Sequence, residues 1–167
     1  EKILGDEETM KHKKVKNNQG FSLVELIIVI AIMAILVGIV GTQVLPYIDK
    51  AKEAKDIQIV SGYCTDATTA FVGCTDQLDS TKIYTITATK GASGWTVDAK
   101  DNTGTNSTVL RNAFVEMNEI TTKAPNLQSK EGKKITKITI VCKHGNLTAK
   151  LTVDGPQNPS AFEVEIK

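Results

Sequence analysis

Residues 20–48 read GFSLVELIIVIAIMAILVGIVGTQVLPYI, and this stretch decides how the rest of the chain is organised. The 23 residues from Leu26 to Ile48 contain no charged side chain. A helix of that length extends about 35 Å, which is enough to cross the hydrocarbon core of a bilayer. Glu25 is the only carboxylate in the stretch, and because a charge is costly in lipid it is a candidate functional residue.

The charge of the chain is concentrated before this stretch. Residues 1–20 hold five lysines and four acidic residues, which account for the whole formal charge of +1. The lysines of MKHKKVKNNQG should keep this end in the cytoplasm, with the body of the protein on the other side of the membrane. We expect translation to begin at Met10 and residues 1–9 to be an upstream extension. The neutral body argues against nucleic-acid binding through bulk charge.

The junction at Gly20 carries a more specific signal than hydropathy does. Basic residues precede the string GFSLVE, and an unbroken apolar run follows it. From Lys11 to Ile48 the chain resembles the class III leader of type IV pilins and pseudopilins. The resemblance implies that a prepilin peptidase cuts between Gly20 and Phe21 and methylates the new amine of Phe21. It also implies that Glu25 pairs with the Phe21 amine of a neighbouring subunit and so sets the subunit register.

Beyond the apolar half, the pattern predicts that the same helix continues, from about Ser22 to about Val72. Charged residues from Asp49 to Asp56 cover one side of its second half. Apolar residues recur on the other side at helical spacing: Ile48, Ala51, Ala54, Val60, Tyr63, Cys64, Ala67, Ala70 and Phe71. This amphipathic half is expected to pack on the body.

Two glycines and a proline interrupt the apolar half of the helix. Gly38 and Gly41 weaken a helix in water, while in a packed bundle glycine allows close approach or local melting. Pro46 removes a backbone hydrogen bond and kinks the axis. Many pilins carry a proline four residues earlier, where this chain has Thr42. The position of a kink is therefore open, and the two glycines are the alternative source of an extensible stretch.

The rest of the chain combines one short helix with alternating strands. Ile83–Lys90 and Trp95–Lys100 flank GASG and predict a hairpin. Residues 107–120 predict a helix capped by Ser107 or Asn106, with Leu110, Phe114, Met117 and Ile120 on its apolar face. Three further strands predict an antiparallel meander whose inward residues are Ile138, Ile140 and Cys142, then Leu147, Ala149, Leu151 and Val153, then Phe162, Val164 and Ile166.

These patterns predict a pilin-like α+β fold, in which a long N-terminal helix packs on a C-terminal antiparallel sheet. The expected segments are a cleaved leader at 1–20, a transmembrane or filament-core helix at 21–48 and an amphipathic helix at 49–73. A variable αβ region at 74–134 and the sheet at 135–167 complete the chain.

The cysteines and the absent motifs limit the chemistry. Cys64, Cys74 and Cys142 form no CxxC pair and have no paired histidines nearby, so we expect no metal site. One disulfide among the three can form outside the cell, with the pairing open; three small buried hydrophobes are the alternative. No catalytic arrangement or nucleotide-binding motif is present, so we predict a protein without enzymatic activity and without a cofactor.

The resulting hypothesis is a structural subunit of a type IV pilus, stored in the membrane and then assembled into a surface fibre. Its expected partners are other pilin subunits, the prepilin peptidase and assembly machinery with a cytoplasmic ATPase. The alternatives are a pseudopilin of a secretion or DNA-uptake machine and an anchored binding domain that never polymerises. The lysine-rich composition with few aromatic residues favours a Gram-positive source.

Overall fold

The computed structural model describes residues 20–145 and 148–166, so the leader residues 1–19 and Leu147 lie outside it. One continuous helical segment runs from Leu23 to Gly73, which confirms the predicted long helix to within a residue at each end. Contacts divide the chain into two compact units, the first ending at Thr42 and the second beginning at Gln43.

The long helical segment has three parts. The helix α1 comprises Leu23–Ile39, a π-helix comprises Val40–Val44, and the helix α2 comprises Leu45–Gly73. The π-helix ends at Val44, two residues before Pro46. Pro46 has no N–H to give to the carbonyl of Thr42, so a regular α-helix cannot be completed there. The hydroxyl of Thr42 donates to the carbonyls of Gly38 and Ile39, at 3.1 and 3.4 Å. The helical irregularity therefore includes Gly41 and lies between Gly38 and Pro46.

The second unit is an antiparallel sheet covered by α2 and a short helix. The strands are β1 (Ile83–Gly91), β2 (Gly94–Asp101), β3 (Lys137–Lys143), β4 (Thr148–Asp154) and β5 (Val164–Ile166), in the spatial order β2-β1-β3-β4-β5. The helix α3 is Thr108–Asn118, and it packs on α2 and β2. Ser107, one of the two predicted caps, caps this helix, because its hydroxyl oxygen accepts a hydrogen bond from the Leu110 N–H.

Alternation of side chains places the core between α2 and the sheet. The inward residues of β3 and β4 predicted from sequence are buried where the structure describes them: Ile138, Ile140, Cys142, Ala149, Leu151 and Val153. From the helices, Val60, Cys64, Phe71, Leu110 and Phe114 complete the same core. The predicted α+β architecture, a long N-terminal helix on an antiparallel sheet, is thereby confirmed.

The sheet is larger than predicted, because the hairpin of the 74–134 region pairs with β3. Ile86 of β1 lies opposite Ile140 of β3, so β1 lies between β2 and the central strand β3 of a five-stranded sheet. Alternation defines a strand's faces but not its neighbours, which explains why the sequence showed only a three-stranded meander. Phe162 is buried as predicted, but it ends a 3₁₀ helix (Pro159–Phe162) before the short β5.

Three predictions about helix faces were wrong. Met117 of α3 is 47% exposed, although the preceding Phe114 is buried. Ile120 is buried but lies after the helix, because Glu119 adopts a left-handed conformation with φ of 52° and ends α3. In α2, packing on the body begins only at Asp56, so the predicted stripe positions Ile48, Ala51 and Ala54 are exposed, and Asp56 itself, predicted to be on the polar side, is buried.

Candidate functional site

The residues of the predicted cleavage site precede α1 and are exposed. Gly20, Phe21 and Ser22 are not helical, and Phe21 is 84% exposed. An exposed, non-helical backbone is the local geometry that a peptidase requires, since the scissile bond must be held extended. The first unit therefore presents the Gly20–Phe21 bond in an accessible form.

Glu25 caps its own helix in this structure. Its Oε2 atom accepts a hydrogen bond from the Ser22 N–H at 2.8 Å, which satisfies one of the backbone donors left unpaired at the start of α1. The negative charge also lies at the positive end of the helix dipole. Because a carboxylate has two acceptor oxygens, this contact leaves Oε1 available for a second donor.

The surface of α1 is apolar and uncovered. No residue of Leu23–Ile39 is buried, and the large side chains include Leu23, Ile27, Ile30, Met33, Leu36 and Val37. Contiguous exposed apolar area on this scale marks contact with a membrane or with other protein surfaces. By length and composition, the helical segment Leu23–Gly73 could cross a membrane.

Asp56 joins α2 to the α3–β3 connection, residues 119–136. The Asp56 side chain is 0% exposed. Its Oδ1 accepts from the Gln128 N–H at 2.9 Å, and its Oδ2 accepts from the Ser129 N–H at 2.8 Å and the Ser129 hydroxyl at 2.6 Å. The Ser129 hydroxyl oxygen in turn accepts from the Gly132 N–H at 2.8 Å. These hydrogen bonds compensate for burying the carboxylate.

Sequence reasoning missed this contact, although a signal for it was present. Asp56 lies four residues before Val60, which lies four before Cys64, so all three share one face of α2. The charged residues around Asp56 made it resemble part of the solvated side. The helical spacing of Asp56 from Val60 and Cys64 correctly predicts that Asp56 is buried, whereas its residue type does not.

A second ordered carboxylate organises the turn after β2. Asp101 Oδ2 lies 2.6 Å from Lys82 Nζ, and Oδ1 accepts from the N–H groups of Thr103 and Thr105. The hydrogen bond from Lys82, followed by that from the Thr103 hydroxyl, holds the pKa of Asp101 well below its usual range. The pair borders an open polar cavity of about 310 Å³ beside α3.

The three cysteines are free thiols in the structure, and all are buried. Cys64 lies on α2 and Cys142 on β3, whereas Cys74 is the C-cap of α2. Burial, and to a lesser extent the nearby Cys64, raises the pKa of Cys142 to about 12. Burial also raises the pKa of Cys74. The predicted disulfide stays a prediction.

Several other polar side chains make contacts within the body. The ring of His144 packs on Phe71 with 4.6 Å between ring centroids. Among the lysines between residues 130 and 137, Lys134 pairs with Glu131 at 2.6 Å and Lys137 pairs with Asp154 at 3.6 Å. Within residues 20–145 and 148–166 no group of three His, Cys, Asp or Glu side chains is placed to hold a metal ion.

Comparison with known proteins bears on the N-terminal segment. A family model described as the prokaryotic N-terminal methylation motif matches residues 15–41. Neither the curated proteins nor the solved structures contain a match to the chain. The matched residues include Gly20, Phe21 and Glu25 together with the whole of α1. Residues 15–41 thus carry the prokaryotic N-terminal methylation motif, and in this segment the chain is similar to type IV pilins and pseudopilins.

Proposed function

We propose that this protein is a structural subunit of a type IV pilus. The prepilin peptidase cuts between Gly20 and Phe21, methylates Phe21, and leaves a subunit anchored in the membrane by α1. Subunits then leave the lipid and assemble into a fibre with their apolar helices in the centre and their bodies outside. The observation that carries the proposal is the coincidence of the methylation motif with a helix whose apolar surface is wholly uncovered.

The physical argument rests on what can cover α1. Lipid and a bundle of similar helices are both apolar, so exchanging one for the other costs little hydrophobic free energy. Assembly is then directed by polar contacts, of which Glu25 offers one within the apolar run.

Glu25 takes a new partner on assembly in this proposal. In the single subunit it accepts from its own Ser22 N–H. Cleavage creates a charged amine at Phe21, and in the fibre the carboxylate of one subunit pairs with the amine of its neighbour. An unpaired charge in an apolar bundle costs roughly several kcal/mol. A misaligned subunit leaves Glu25 unpaired, so it is rejected and the axial register is fixed.

The first experiment is intact mass and N-terminal sequencing of protein sheared from the cell surface. A chain that begins at methylated Phe21 and is recovered in fibres supports the proposal. A processed chain found only in membranes would instead identify a pseudopilin. A chain that retains the lysines before Gly20 would contradict the proposal and leave an anchored domain that does not polymerise.

Two substitutions of Glu25 separate its charge from its capping role. Glu25→Gln keeps an oxygen that can accept from Ser22, whereas Glu25→Ala removes both the acceptor and the charge. We expect both variants to lose fibres while processed protein accumulates in the membrane, because both lack the charge that pairs with the amine. Quantification of sheared fibres and of membrane-bound protein provides the measurement.

The matched control is Glu116→Ala, which removes an exposed carboxylate from α3 in the body. This variant should form fibres at the level of the unaltered protein. Normal fibres from Glu25→Gln would show that the charge is dispensable and would contradict the pairing with Phe21.

A further inference from the structure

Two of the three buried thiols lie in the same part of the core. Cys64 and Cys142 are both fully enclosed. Cys64 Sγ is 3.7 Å from the carbonyl oxygen of Ala149, and Ala149 lies directly opposite Cys142 in the β3–β4 ladder. Opposite residues of an antiparallel pair have their Cα atoms about 5 Å apart. The Cys142 side chain points to the face of the sheet that α2 covers, so it faces the helix that carries Cys64.

Cys74 is excluded from this pair by the geometry of α2. It follows Cys64 by ten residues, which separates the two by about 15 Å along the helix axis. A disulfide requires Cα atoms about 4.4–6.8 Å apart. Cys74 therefore cannot reach Cys64 in the folded protein, and it cannot reach a Cys142 that is adjacent to Cys64.

We propose that Cys64 and Cys142 form a disulfide that joins α2 to the β3 strand, and that Cys74 remains a thiol. The bond rests on the proposed function in one respect only, that the body folds outside the reducing cytoplasm. It does not depend on fibre formation. Of the three pairings that the sequence leaves open, this is the one whose two residues are brought together by the packing of α2 on the sheet.

The bond forms while the chain is folding. In the folded protein both thiols are enclosed, and a buried thiol is a poor nucleophile because its thiolate is disfavoured. During folding, one cysteine thiolate attacks an external disulfide, either a small-molecule disulfide or that of a thiol oxidoreductase, and one external thiol leaves. The second cysteine thiolate then attacks the mixed disulfide and releases the second external thiol. The two cysteines lose two electrons to the oxidant, and their protons pass to the solvent.

The test uses the full chain, refolded in detergent with glutathione disulfide and mapped by mass spectrometry without reduction. We expect a linked peptide pair containing Cys64 and Cys142, the loss of two of the three free thiols, and alkylation of Cys74 alone after unfolding. A linkage that includes Cys74, or three alkylated cysteines, would overturn the proposal.

Single substitutions give a second readout. Oxidation should raise the thermal midpoint of the unaltered protein and of Cys74→Ser, but not that of Cys142→Ser or Cys64→Ser. Equal midpoints before and after oxidation in Cys74→Ser would also count against the bond. The same mass-spectrometric mapping of protein isolated from cells tests whether the disulfide forms in the cell. Finding Cys64 and Cys142 reduced in that protein would contradict its formation in the cell. Loss of fibres in Glu25→Ala decides the pilus function separately, since it does not involve these thiols.

Discussion

Glu25 and Asp56 are acidic side chains on the same long helical segment, yet they occupy opposite environments. Glu25 is exposed in the single subunit and accepts one hydrogen bond from its own helix terminus. Asp56 is enclosed and accepts from two backbone N–H groups and a hydroxyl of a segment more than seventy residues away. The first carboxylate is suited to an intermolecular contact, whereas the second stabilises the body.

The contribution of Asp56 can be measured by substitution. Asp56→Ala leaves the buried donors of Gln128 and Ser129 without an acceptor, so we expect the free energy of unfolding to fall by about 2–4 kcal/mol. Asp56→Asn retains one acceptor oxygen and should cost less. Urea denaturation in detergent, followed by the fluorescence of the buried Trp95, gives the values. The control, Asp76→Ala, removes an exposed carboxylate and should change little; an equally stable Asp56→Ala would refute the prediction.

Asp101 makes stability depend on pH. Its pKa is lowered in the folded state by Lys82, so its charged form favours folding at all pH values above the pKa of the unfolded chain, about 4. That contribution is lost as the pH falls through the lower pKa of the folded state. We expect Asp101→Asn to lower the melting temperature at neutral pH and the difference from the unaltered protein to narrow below about pH 4. Thermal unfolding across this range provides the measurement, and a difference that stays constant would contradict it.

At the scale of elements, the α3–β3 connection is held from two sides. Asp56 of α2 binds it at Ser129, and Glu131 accepts from the Gln157 N–H at 2.7 Å, in the β4–β5 loop. Close packing accompanies both contacts. A Cβ atom at Gly132 would lie 2.1 Å from Asp56 Oδ2, and one at Gly155 would lie 1.9 Å from the Lys134 carbonyl oxygen. The α3–β3 connection therefore packs closely against α2 and the β4–β5 loop, at positions where only glycine has room.

Two glycine-to-alanine substitutions in the body should change the free energy of unfolding in opposite directions. Gly132→Ala places a methyl group against the Asp56 carboxylate and should lower the free energy of unfolding by about 2 kcal/mol or more. Gly62→Ala, on the exposed side of α2 with nothing within 4 Å, should raise it by roughly 0.5–1 kcal/mol because alanine favours a helix. Denaturation curves of the two variants, measured side by side, test the pair. A stable Gly132→Ala would show that the connection is not held against α2 as described.

At the scale of the whole molecule, the body does not draw its core from the apolar helix. Asp56 is the first buried residue of the described chain, and residues 20–55 contribute none. The core of α2, α3 and the five strands lies within the second unit. The features that would carry a subunit into a membrane or a fibre are thus separate from those that fold its body.

This separation predicts that a fragment of residues 49–167 folds alone. We expect it to be monomeric without detergent, because the exposed apolar side chains from Phe21 to Ile48 have been removed. Its thermal unfolding should be cooperative, with a midpoint near that of the body in the full chain. Sedimentation velocity and circular dichroism provide the measurement. Aggregation or a non-cooperative transition would mean that the body needs the apolar helix.

The sequence alone was sufficient for the features that depend on local pattern. The uncharged run from Leu26 to Ile48, the GFSLVE junction and the strict alternation in β3 and β4 each predict their element directly. The family resemblance carried by the junction also identifies Gly20, Phe21 and Glu25 as candidate residues, because that motif lies within a few consecutive positions. Even the end of the helix near Gly73 followed from local residues.

Only the tertiary structure decided which distant segments meet. Three features join residues at least 48 positions apart: the pairing of β1 with β3, the burial of Asp56 beneath Ser129 and the proximity of Cys64 to Cys142. Periodicity shows which face of an element is apolar, but not which other element covers that face. That choice depends on the packing of the entire body, where a side chain such as Asp56 can be buried if distant backbone donors compensate for its charge.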